Sequence, residues 1–147
     1  MFSSPDDVRG LGTRGEGGVA DLIPLSNLTS VSTSPQQVAV AVFKDWVTYS
    51  NLLVADGLTV TVPTVDQLDG VWKLGARYSR FPITDLGEKL AVCGLELDYD
   101  ASSYGPVVPA GIGWLACRVV ARVDLGGVRC LPGWDARGAV MPGGGLR

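Results

Sequence analysis

Glu96, Asp98 and Asp100 come nearest, by type and spacing, to a reactive constellation. Within residues 90–100 they alternate with Ala91, Cys93, Leu95, Leu97 and Tyr99, the period of a half-buried strand. On such a strand the three carboxylates share one face, about 7 Å apart per step of two residues. Carboxylates so placed can hold a hard cation or divide acid and base roles. A second alternating run, residues 114–125, puts Leu115, Cys117, Val119, Ala121, Val123 and Leu125 on a dry face and Trp114, Arg118, Arg122 and Asp124 on the other. If the two runs pair antiparallel through residues 101–113, acids face arginines. That is an ordinary cross-strand charge ladder, and it outweighs a catalytic reading.

Other chemistries find less support. Gly10-Leu11-Gly12-Thr13-Arg14-Gly15 matches G-x-G-x-x-G, but no strand pattern precedes it and Glu16-Gly17-Gly18 follows where a helix should open. The match therefore reads as a glycine-rich arm and not as a dinucleotide site. The chain has no histidine, which excludes Ser/His/Asp and Cys/His catalysis. Its three cysteines, Cys93, Cys117 and Cys130, lack metal-binding spacing, and the first two read as buried thiols. No metal and no cofactor is expected. Asn27-Leu28-Thr29 matches a glycosylation acceptor by chance, since the first residues carry no secretory signal.

Composition narrows the class. Charged residues are 18% of 147 and the net charge is −3, with no run of lysine or arginine, so neither nucleic acid nor a membrane is an expected partner. Nine of the eleven aromatics lie between Phe43 and Trp114, which places the folded body at residues 35–131. Residues 1–34 read as a flexible or partner-ordered arm and residues 132–147 as a glycine-rich tail. Leu22, Ile23 and Leu25 form the apolar knot of the first arm and are candidate contacts with a partner.

The elements that would position these residues follow from caps and periods. Ser34, Pro35 and Gln37 open a helix that runs to Gly57 with Ala39, Val42, Phe43, Trp46, Leu53 and Val54 on its apolar side. The rival is a strand at residues 38–43, where β-branched residues alternate. Residues 58–62 read as a strand, and Thr64 with Gln67 caps a second helix carrying Val65, Leu68, Val71, Trp72 and Tyr78. Gly126-Gly127 offers a hairpin turn. The fold class expected is α+β, two helices packed on an antiparallel sheet, with extended N- and C-terminal arms.

Low charge, many glycines and long arms suggest a non-enzymatic structural protein. The reading is a viral or phage capsid, decoration or surface-accessory subunit, located in the virion or host cytoplasm, whose partners are repeated protein subunits of a larger assembly. Trp114, Arg118, Arg122 and Trp134 join Leu22, Ile23 and Leu25 as its interface residues. The alternative is a small module that binds a ligand or peptide through the charged sheet face and the 101–113 loop.

Overall fold

Alternation of β-branched residues decides most of this architecture. In the computed structural model, which describes residues 8–75, 93–124 and 136–146, the strands are β1 (Arg9–Arg14), β2 (Ala20–Leu25), β3 (Thr29–Thr33), β4 (Gln36–Phe43), β5 (Gly57–Val62), β6 (Gly113–Arg118), β7 (Ala121–Val123) and β8 (Ala136–Leu146). Two short helices interrupt them, α1 (Val47–Val54) and α2 (Leu68–Lys73). All the described pairings are antiparallel, in the order β2-β1-β5-β6-β8-β4-β3, with β7 also on β8. The α+β class with an antiparallel sheet and two helices is therefore observed.

The sheet coils on itself. Leu11, Ile23, Leu58 and Val60 from one half meet Val40 and Val42 from the other in a single buried cluster, with Cys117 and Leu52. Each such side chain, fully buried, contributes about 2 kcal/mol of transfer free energy. A second cluster, Leu22, Leu74, Cys93 and Val108, lies on the opposite face of the β1–β2 hairpin. The result is a partly open barrel with a small outer layer.

Four expectations from the sequence are corrected. The residues read as an N-terminal arm supply β1, β2 and β3, and those read as a tail supply β8, which pairs with β4, β6 and β7. The long helix from residue 35 is a strand followed by the short α1, because Val38, Val40 and Val42 pair with β8 and Val38 also pairs with β3. Phe43 and Trp46 close the corner between strand and helix, edge to face at 4.8 Å. Residues 93–100 form no named strand: Asp98 makes one isolated bridge to Val107, and its carboxylate accepts from Asp100 N–H (2.8 Å) and Ala101 N–H (3.0 Å). The charge ladder is thus absent, since β5 and β8, not an acidic strand, flank β6.

The Thr64–Gln67 capping box is present, with Gln67 Oε1 accepting from Thr64 N–H at 2.9 Å. The helical segment it opens continues to Lys73 as α2, with Trp72 turned to solvent at 63% exposure, not into the core. Among the described residues no helix is long and apolar enough to cross a membrane. Cys130, Trp134, Tyr78 and the Gly126-Gly127 turn lie outside the described residues.

Candidate functional site

All of the G-x-G-x-x-G match but its last glycine lies in β1, and it serves packing. A Cβ at Gly12 would overlap the Pro106 carbonyl and the Thr59 hydroxyl, which are hydrogen-bonded to each other at 2.7 Å. One above, Gly105 abuts the Gly12 backbone, so the 105–108 segment seals that face of β1 and β5. The other face is closed by α1, where Asn51 donates to Thr13 at 3.1 Å and Thr48 donates to the buried Asp21 at 3.3 Å. A strand covered on both sides offers a ligand nothing.

Edge strand β3 is the opposite case. It is largely exposed along its length, bears no charge, and ends the sheet order. Its register on β4 pairs Thr29 with Ala39, Ser30 with Val38, Ser32 with Gln37 and Thr33 with Gln36, leaving Val31 as an extra residue. This is a β-bulge, a device that re-aims side chains at sheet edges. Val40 and Val42 of β4 point into the core at 3% and 2% exposure, so Gln37, Ala39 and Ala41 face outward. Residues opposite one another share a face. The bulge therefore brings Thr29 and Ser32, three apart in sequence, onto the outward face beside Gln37, above a floor of Ala39 and Ala41. Gly138 of β8 pairs with Ala41 on the other side of β4. The outcome is a flat surface of small residues edged by hydroxyl and amide groups, and residues 15–43 hold no lysine or arginine.

A cavity of ≈ 340 Å³ opens elsewhere, lined by Asp66, Gln67, Asp69, Gly70, Cys93, Gly94, Leu95, Glu96, Val108 and Ala110. One of its acids is paired, Asp69 with Lys73 at 2.7 Å. Nearby, burial, with a smaller push from Cys93, raises the Tyr99 phenol above its ordinary 10.0, so it stays protonated and is no base. Among the described residues no cluster of three or more histidine, cysteine or acidic side chains can hold a metal. A cavity edged by Asp66, Asp69 and Glu96 repels phosphate, whereas the β3–β4 face does not.

The residues expected to meet a partner are scattered. Leu22, Ile23 and Leu25 are 0%, 1% and 4% exposed and belong to this chain's own core. Trp114 is half-buried on β6, opposite Thr61, and Arg118 is exposed opposite Gly57. Arg122 donates to the Leu52 and Ala55 carbonyls at 3.0 and 2.7 Å, closing the C-terminal end of α1. None of them reaches the β3–β4 face by any of these contacts. Thr29, Ser32 and Gln37 went unnoticed because hydroxyls and amides on an uncharged run carry no motif. The available signal was the density of hydroxyls in residues 26–34 beside an alternating valine strand.

Residues 3–131 match the Flavin reductase like domain. The chain belongs to that family. No curated protein matches it in sequence. Its fold is shared with the NADH:FAD oxidoreductase SgcE6 of Streptomyces globisporus C-1027, at 18% identity and a TM-score of 0.74, over 99% of this chain and 76% of that one. BorF, the flavin reductase component of a bacterial two-component tryptophan halogenase, is 19% identical with a TM-score of 0.70, over 97% and 79% of the two chains. The styrene monooxygenase flavin reductase of Pseudomonas putida S12 is 14% identical with a TM-score of 0.70, over 97% and 79%. Membership of the flavin reductase family overturns the reading as a virion, capsid or decoration subunit. It also overturns the exclusion of an enzyme and the expectation that the partners are repeated subunits of a shell.

Proposed function

We propose that this protein is a flavin reductase that receives its flavin on the outward face of β3 and β4 and takes reducing equivalents from a reduced nicotinamide. The observation that carries the placement is the bulge at Val31, which sets the Thr29 and Ser32 hydroxyls together over the alanine floor. Flavins and this face match in chemistry. Ala39 and Ala41 would leave room for a planar ring, and Thr29, Ser32 and Gln37, which both donate and accept, would hold the polar groups of a flavin. The acid-edged cavity fails the same test, because a flavin nucleotide carries phosphate.

Flavin, when bound, supplies two-electron redox chemistry with a hydride donor. The chain's own task is then to bind, orient and leave one ring face open, which a chain without histidine can do. The names of the neighbours support the donor and the role: SgcE6 is an NADH:FAD oxidoreductase, and BorF is the reductase of a two-component system. The purified protein should oxidise NADH only when FMN or FAD is added, and free flavin should titrate its tryptophan fluorescence. Flavin-independent turnover, or no flavin binding at all, defeats the reading.

A further inference from the structure

Continuing the β3–β4 register two residues beyond the Thr29–Ala39 pair sets Asn27 opposite Ala41. Named β3 has not yet begun at that point. A side chain completes the rung instead, for Asn27 Nδ2 donates to the Ala41 carbonyl at 3.0 Å. Aspartate has the same shape but, ionised, offers only acceptors, and serine lacks the reach of the amide. The presenting segment is therefore fixed at one end by an amide rung and re-phased at the other by the Val31 bulge.

We infer that Asn27 is a positioning residue: by tying the β2–β3 connection to β4 it holds Thr29 and Ser32 in the arrangement that meets the flavin. This rests on the reading of the β3–β4 face as the flavin site. The bond is exposed, so it adds little to global stability. Its effect falls on binding, because a strand entry already held in place loses less freedom when a ligand arrives.

Asn27→Ala should raise the flavin KM about fivefold. The NADH KM, kcat at saturating flavin and the denaturation midpoint should shift far less, and amide exchange should quicken across residues 28–33. Asn27→Gln keeps the donor and should recover part of the flavin KM. An unchanged flavin KM in Asn27→Ala overturns the inference, as does a rise matched by an equal loss of stability. The combined Thr29→Val and Ser32→Ala protein separates the two claims. If that protein raises the flavin KM while Asn27→Ala does not, only the role of Asn27 is wrong. If it leaves the flavin KM unchanged, the face is wrong and Asn27 falls with it.

Discussion

Strands β1 and β3 come from one stretch of sequence, lacking strong hydrophobic runs, yet they have opposite fates. β1 is sealed on both sides: α1 covers Thr13 through Asn51, and the 105–108 segment presses on Gly12. β3 is an edge, open and hydroxylated, with a bulge that sets which side chains look outward. Glycine in β1 and the hydroxyls in β3 answer different demands. The first is close approach of backbone to backbone; the second is presentation of neutral hydrogen-bonding groups to something flat.

Substitutions sharpen that contrast. Gly12→Ala should cost about 3 kcal/mol in denaturant unfolding, because the methyl group must displace the Pro106 carbonyl and the Thr59 side chain together. A mild loss there would mean the 105–108 cover is loose and β1 is less sealed than described. Joint replacement Thr29→Val and Ser32→Ala should raise the flavin KM about tenfold, while unfolding changes by less than about 0.5 kcal/mol. Between these extremes, Arg122→Ala should cost about 1 kcal/mol by freeing the Leu52 and Ala55 carbonyls at the end of α1, with the flavin KM unaffected. The smallest effect belongs to the acid-edged cavity. Neutralising it with Asp66→Asn and Glu96→Gln should leave flavin kinetics as they were, and tighter flavin binding in that protein would move the site there.

Legibility in the sequence followed the physics of each element. Strand β5 and the Thr64–Gln67 cap were plain, since period two and a reciprocal cap are local signals. The β4 strand was visible only as a rival, because Phe43, Trp46, Leu53 and Val54 continue at helical spacing after it and lend it a false helical period. β1 and β2 read as part of an arm because their burial comes from distant partners: Leu11 is enclosed with Val40 and Cys117, not by its neighbours. The acids at residues 96–100 drew attention as a possible reaction centre. Asp98 instead organises a turn, holding two backbone N–H groups. The proposed flavin face was illegible for a chemical reason. A flavin brings its own reactivity, so the protein needs no acid–base pair or nucleophile that a pattern could reveal.

The extra residue at Val31 has a consequence for how this segment can vary. Side chains on a strand change sides with every residue added or lost. Thr29 and Ser32 are three apart, so the extra residue is what lets both face outward. Removing Val31 would leave Thr29 opposite Ala39 and Ser32 opposite Gln37 in an unbulged ladder, whereas adding a residue without a second bulge would send Ser32 to the side of Val38 and Val40. Insertions among relatives of this chain belong at residues 26–28, ahead of the bulge, and a homologue one residue shorter in β3 should keep the same outward positions on a straighter strand.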